Sequence, residues 1–249
     1  MTETAEYDPR RGWDALYAGS RVVPDEPEPE VLQTVAVLRD LAGGGPVLEL
    51  AVGHGRIAIP LAASGVEVDG IDYSTKAIEL IRAHPKGDAV NASVADISDF
   101  ALGRTYSLVF LVFNTIQNLT TQDQQVACFE NAAAHLQPSG RFVIENDVPD
   151  LRRLAPGNNA VPRTVSDDYI NIDEYIDLMH RQQVRSRHLY RRGDRSFAEI
   201  AVPFRFVWPA ELDLMARIVG MTLEDRWADW DRSPFTDDST SAISVWRLP

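Results

Sequence analysis

The chain has 249 residues, 45% of them apolar, and carries a formal charge of −13 from 24 basic and 37 acidic side chains. That length suits one α/β domain with an insertion, and no run approaches the roughly 18 uninterrupted apolar residues of a membrane helix. Acidity on this scale repels phosphate backbones and anionic bilayers, which argues against a nucleic-acid substrate or a membrane partner. The start, MTETAEYDPRR, is polar rather than signal-like, so a cytoplasmic protein is expected. A single cysteine, Cys128, cannot form an internal disulfide or a multi-cysteine zinc site, and the histidines lack ligand spacing, so no metal is expected.

In the opening segment Trp13 and Tyr17 are four apart and share a face if helical. A run of alternating prolines and acids from Pro24 to Glu30 then introduces a helix over Val31 to Leu41, where the acids suit the positive dipole end. The run VLELAVGHGR, from Val47 to Arg56, reads as strand, tight turn and helix, with the helix over Arg56 to Ala63. Gly53 and Gly55 permit left-handed backbone and close approach of something flat or extended. A second short strand, Val66 to Ile71, ends in Asp72, where a carboxylate can accept from both hydroxyls of a ribose.

Two nucleotide-binding classes share that arrangement. Gly53, Gly55 and Ala58 with Asp72 satisfy the loose dinucleotide fingerprint of nicotinamide-dependent oxidoreductases. Glu49 fits such a strand badly, because a parallel strand covered on both faces leaves a carboxylate no water. A non-catalytic nucleotide-binding protein is a third reading.

The alternation continues: helix Thr75 to Ala83, strand Ala89 to Val94 followed by Asp96 and Ile97, strand Leu108 to Phe113, helix Gln122 to Leu136, strand Arg141 to Glu145. The stretch Asp150 to Val207 breaks it. Arg163 to Ile170, Tyr175 to Val184, Arg187 to Tyr190 and Phe197 to Val207 read as extended strands. Arg181, Arg185, Arg187, Arg191, Arg192 and Arg195 form the one basic cluster; the shared parity of 181, 185, 187 and 191 suits a solvated strand face, with a phosphate or carboxylate site as the sharper alternative. His180 and His188 read as surface or packing histidines. Trp208-Pro209 opens a helix over Ala210 to Val219, and strands Thr222 to Trp230 and Ala242 to Leu248 finish the chain.

LELAVGHGR, VADI from Val94, YSLVFLVFN from Tyr106 and GRFVIEN from Gly140 together resemble the class I S-adenosylmethionine-dependent methyltransferases of small-molecule type. The resemblance implies a doubly wound, mostly parallel seven-stranded sheet, its last strand antiparallel, with an inserted, mainly antiparallel β lid after the fifth strand. It divides the chain into an N-terminal helical cap (1–45), a cofactor-binding core (46–149 and 208–249) and an acceptor lid (150–207). Cofactor-binding residues implied are Glu49 at the amino-acid end, Ala51 where the family usually has glycine, Gly53, Gly55, Arg56, Asp72 at the ribose, Tyr73, Asp96 and Ile97 in the adenine motif, and Phe113.

Catalytic candidates are Tyr17, Glu145 and Asn118, which stands where amino-sugar N-methyltransferases carry a histidine. Asparagine is no base near neutral pH but can orient an acceptor by hydrogen bonding. The expected acceptor is a small metabolite, aromatic in one reading, methylated on nitrogen, oxygen or an electron-rich carbon. Trp13, Tyr17, Phe113, Tyr169, Tyr175 and Trp208 are candidates to line its pocket, and a homo-oligomer is open.

Overall fold

The computed structural model describes residues 12–14, 17, 23–24, 26–149, 151–193 and 196–249; the stretch 1–11, Asp25 and the Asp194-Arg195 pair lie outside them. Helix α1 spans Pro29–Ala42, with proline in its first turn and Gly43 closing it in the left-handed conformation (φ 59°). Strand β1 (Val47–Leu50) and helix α2 (Ala58–Ala63) flank the glycine turn. Strand β2 (Val68–Asp72) leads into α3 (Thr75–Ala83), whose N-cap Ser74 accepts from the Ala77 N–H. Strands β3 (Val90–Val94) and β4 (Tyr106–Leu111) follow, then α4 (Gln122–Ala134), opened by a Thr121/Gln124 capping box, and β5 (Leu136–Asp147).

After β5 come four strands, β6 (Ala160–Val165), β7 (Tyr169–Asp177), β8 (Gln183–Arg191) and β9 (Phe197–Arg205). Helix α5 (Pro209–Ile218) and strands β10 (Thr222–Trp227) and β11 (Ser241–Arg247) complete the chain. The seven-stranded sheet runs β10-β11-β5-β4-β1-β2-β3, with β11 antiparallel to both neighbours, as expected. The inserted sheet, β6-β7-β8-β9, is antiparallel throughout.

One apolar cluster joins α1, α2 and α3 to one face of the large sheet, and a second joins α4 and α5 to the other. Val47, Val68 and Val143 belong to the first cluster. Side chains alternate along a strand, so Glu49, Asp72 and Glu145, at even spacings from those valines, lie on that same face. No helix among the described residues is long and apolar enough to cross a membrane.

The inserted sheet departs from its sequence reading in one useful respect. The stretch Tyr175 to Val184, read as a strand, contains the β7–β8 turn. Asp177 makes that turn, its Oδ1 accepting from the N–H groups of Met179 and His180 and its Oδ2 pairing with Arg181. Likewise Arg163 to Ile170 crosses the β6–β7 turn, which Ser166 closes by accepting from the Tyr169 N–H. Apolar Leu178 and Met179 disguised the first turn as strand.

Candidate active site

Three features gather at the carboxyl ends of β1, β2 and β4. The first is the glycine turn. Ala51 takes φ 54°, a left-handed conformation that costs alanine about 1 kcal/mol and glycine nothing, which gives a physical reason for glycine there in the resembled motif. A Cβ on Gly53 would stand 2.8 Å from the Tyr17 hydroxyl. At Gly55 the space is already taken, since a Cβ there would lie 2.7 Å from Ile59 Cδ1 and 3.1 Å from Ile81 Cγ1. Gly53 thus faces the site, whereas Gly55 lets the helices close on the turn.

The second feature is Asp72, whose Oδ2 accepts from the Gly53 N–H and Oδ1 from the Ser74 N–H, each at 2.8 Å. It clamps the glycine turn to the end of β2 and keeps lone pairs free for hydroxyls. Burial raises its pKa, against the pull of those two N–H groups. Glu49 is 2% exposed and its Oε2 has no hydrogen-bond partner. Burial pushes its pKa well above the carboxylate range and Asp72 adds to the shift, while Arg56 and the Ala58 N–H oppose it. An orphaned carboxylate oxygen in this position is an unmet acceptor that a cationic group would satisfy.

The third feature is the end of β4, where Phe113 and Asn114 both take left-handed dihedrals (φ 56° and 58°). Consecutive strained residues persist only where surroundings hold them. Here Glu145 accepts from the Phe113 N–H at 2.9 Å, the Glu145 carbonyl accepts from the Asn114 N–H at 3.1 Å, and Asn114 Oδ1 accepts from the Asp147 N–H. Arg56 lies 3.3 Å over the centroid of the half-exposed Phe113 ring. Burial raises the Glu145 pKa, with the Phe113 N–H, the Trp230 side chain and Arg56 pulling it back.

Tyr17 lies over this cluster, its ring 5.9 Å from that of His54 and 6.5 Å from Trp13. Burial first, then the charges of Asp72 and Glu49, raise its pKa, so the hydroxyl stays protonated. Asp14, on the same segment, accepts from the Ser74 hydroxyl at 2.5 Å. Asp96 follows β3 and accepts through Oδ1 from the Ser98 N–H and hydroxyl; Ile97 is buried in the second core cluster. Asn118, on the short turn after β4, has a buried Oδ1 without a partner.

A cavity of about 170 Å³ opens beside the end of β4, between Asn114, Gln117 and Asp147 on one side and β6 to β9 on the other. Its far wall includes Asn171, Asp173, Tyr175, Ser186 and His188. Arg163 bridges two carboxylates there, Asp147 at 2.7 Å and Asp173 at 3.6 Å. Burial raises the Asp147 pKa, Arg163 lowers it and Asp173 raises it again. Sequence reasoning missed Asp147, Arg163, Asn171 and Asp173, and took His188 for a packing residue. With the β7–β8 turn misplaced, the parity that puts these side chains on one face was unreadable. Of the expected aromatic wall, Tyr175 lines the cavity and Tyr169 stands behind His188, while Trp208 is 38% exposed against Phe206.

The described arginines of the cluster point elsewhere. Arg187 pairs with Glu199, Arg185 with Glu174 and Arg181 with Asp177, all exposed or half-exposed.

A methyltransferase-domain family model matches residues 47–140. The CcbJ methyltransferase from Streptomyces caelestis is 33% identical over 97% of this chain and 99% of its own, with a TM-score of 0.83. The chain belongs to the class I S-adenosylmethionine-dependent methyltransferases. Its methyl donor is S-adenosylmethionine, and the orphaned Glu49 oxygen and the clamp of Asp72 on the glycine turn fit that cationic, ribose-bearing group. The methyltransferase is also 35% identical, over 99 residues, to a dTDP-3-amino-3,6-dideoxy-α-D-glucopyranose N,N-dimethyltransferase of Streptomyces fradiae; that match covers 40% of this chain and 38% of the relative. CalS10, an amino pentose methyltransferase from Micromonospora echinaspora involved in calicheamicin biosynthesis, shares the fold at 16% identity and a TM-score of 0.66 over the whole of both chains. Family membership thus decides between the two readings of the glycine turn, against the nicotinamide-dependent one.

Proposed function

We propose that this methyltransferase methylates an amine nitrogen on a small, ring-sized natural-product precursor, with residues 150–207 closing over the acceptor and the segment before residue 45 capping the cofactor. The observation that carries this reading is the cavity of about 170 Å³ with Asp147 and Asp173 in its walls. It suits one substituted ring rather than a macromolecule, and carboxylates favour a cationic nitrogen. The Streptomyces fradiae relative, an N,N-dimethyltransferase of an amino sugar, supports the same class of acceptor.

Bound S-adenosylmethionine would supply a methyl group already activated by the sulfonium charge. The protein then has to position the acceptor behind that methyl group, an effect that can supply roughly 7 to 11 kcal/mol. In this reading Glu49, Ala51, Gly53 and Arg56 hold the amino-acid end, with Gly55 shaping the turn; Asp72 and Tyr73 hold the ribose, and Asp96 and Ile97 the adenine. Phe113, fixed by Glu145, borders the methyl group, Tyr17 closes over it, and Asn118 orients the acceptor. Action in the cytoplasm, away from membranes, belongs to the same proposal and suits the reduced thiol of buried Cys128.

Two probes test it: methyl 3-amino-3-deoxy-α-D-glucopyranoside and benzylamine, each incubated with protein and radiolabelled S-adenosylmethionine. Label should enter the sugar amine, and Asp72→Ala should weaken S-adenosylhomocysteine binding by tenfold or more in calorimetry, since a hydrogen bond to a charged group contributes roughly 1.5 to 3 kcal/mol. Label entering neither amine, with S-adenosylhomocysteine binding intact, would overturn the nitrogen assignment.

A further inference from the structure

The covered side of an antiparallel sheet is ordinarily its apolar side. On the face of β7 and β8 that lines the cavity, the middle of the surface is instead polar. Asn171 stands opposite His188, and Asp173 opposite Ser186, in the β7–β8 register. Ser186 is 3% exposed and accepts from Asn171 Nδ2 at 2.9 Å, so those two groups satisfy one another. His188 keeps capacity for something else. Its Nδ1 lies 2.7 Å from the Tyr169 hydroxyl, with the Tyr169 ring stacked beside it, and its Nε2 has no hydrogen bond among the described residues.

We propose that His188, in the tautomer whose Nδ1–H donates to the Tyr169 hydroxyl, takes the proton from the acceptor's ammonium group in the cavity, with Asp173 holding the cation until the proton has left. The inference rests on the amine reading above. An ammonium facing a sulfonium is a like-charge pair, and its nitrogen has no lone pair with which to attack, so the proton must go first. With Nδ1–H donated to the Tyr169 oxygen, Nε2 presents its lone pair. The N–H bond of the ammonium breaks, its electron pair stays on the amine nitrogen, a new N–H bond forms at Nε2, and the imidazolium later releases its proton to water.

The other groups around His188 are less suited. Asp147 on β5 and Asp173 on β7 are both engaged by Arg163 on β6. The amides of Asn114 and Gln117 are bonded to the main chain of Asp147. The Tyr169 and Tyr190 rings lie 5.1 Å apart, tilted by 35°, and β9 places apolar Ile200 opposite His188. Burial lowers the His188 pKa while Asp173 raises it, which leaves the neutral imidazole as the resting form near neutral pH.

The test compares wild type with His188→Gln, Tyr169→Phe and Asp173→Asn on the probe amine that wild type methylates, across pH, after S-adenosylhomocysteine calorimetry has shown each variant folded. His188→Gln should lower kcat/KM on the order of 100-fold at neutral pH and move the ascending limb of the profile to higher pH, where the acceptor amine loses its own proton. Asp173→Asn, by removing a charge that favours the imidazolium, should move that limb to lower pH. Independently, the His188 ring signals, assigned by their loss in His188→Gln, should titrate in ¹⁵N spectra of the ligand-free protein with the Nδ1–H tautomer dominant, and Tyr169→Phe should weaken that preference. An unchanged pH profile in His188→Gln, or a dominant Nε2–H tautomer, overturns the role of His188 and leaves the amine reading intact. Failure of wild type to methylate either amine, with cofactor binding intact, overturns the amine reading and this inference with it.

Discussion

Carboxylates stand at both ends of this candidate active site, but they are held in different ways. At the carboxyl ends of the parallel strands, Asp72 is held by main-chain N–H groups of Gly53 and Ser74, and Glu145 by that of Phe113. Across the cavity, Asp147 and Asp173 are held by a side chain, Arg163. Main-chain donors come with the turn that carries them and cannot be exchanged without refolding it, which suits a cofactor shared by a whole family. Side-chain partners can be substituted one at a time, which suits an acceptor that differs between relatives. In the proposed reading, the inserted sheet is the part of the molecule in which acceptor specificity can change without cost to cofactor binding.

The comparison breaks most completely where the two regions join. Arg205, 3% exposed at the end of β9, pairs with Glu211 on α5 at 2.6 Å and also donates to Gln182 in the β7–β8 turn and to Gln125 on α4. Arg205→Ala would leave Glu211 without its cation and should destabilise the protein by about 3 kcal/mol. Chemical denaturation measures this, and a loss under about 1 kcal/mol would show that the sheets are joined by apolar packing instead.

A smaller effect of opposite sign is expected at Glu49. Its folded-state pKa is raised by burial and by Asp72, so the protonated form is favoured in the folded protein. Below the ordinary glutamate range both folded and unfolded states are protonated and nothing is lost; stability then declines as pH rises through the folded-state pKa. Glu49→Gln should therefore raise the neutral-pH melting temperature of the ligand-free protein by about 2 to 4 °C, for a gain of about 1 kcal/mol, while reducing the extra stabilisation by S-adenosylmethionine. Melting curves with and without cofactor separate the two, and a lower ligand-free Tm would sink the account of Glu49 as a carboxyl kept for a cation.

The smallest effect sharpens the contrast between the two faces of the inserted sheet. Arg187 and Glu199 are paired at 2.6 Å but both are well exposed. Arg187→Ala should change stability by less than about 0.5 kcal/mol and leave KM for the acceptor unaltered. A rise in KM of tenfold or more would instead make the outer arginines part of the acceptor site.

Residue by residue, the strand ends around the glycine turn were legible and the walls of the cavity beside β4 were not. Glu49, Gly53, Asp72 and Asp96 sit at strand ends within one short span, and the hydrophobic pattern alone places those ends together. Gly55 was legible as a turn residue, but its packing against Ile59 and Ile81 was not. The antiparallel last strand was expected and is observed in β11. The second sheet was foreseen as extended chain, yet its register was lost because an Asp177-centred turn interrupts an apolar stretch that reads as strand. One misplaced turn is enough, because side-chain direction alternates at every residue and an error in phase exchanges the two faces.

By itself, then, the order of residues determined a doubly wound sheet, a glycine turn after its first strand and an acidic composition, all properties that local periodicity and short motifs encode. Only the tertiary structure decided that Asp147, Arg163, Asp173 and His188, from three different strands of the inserted sheet and the end of β5, enclose one cavity. Strand register sets such a meeting, and register depends on contacts between residues far apart in the chain, which no local pattern carries.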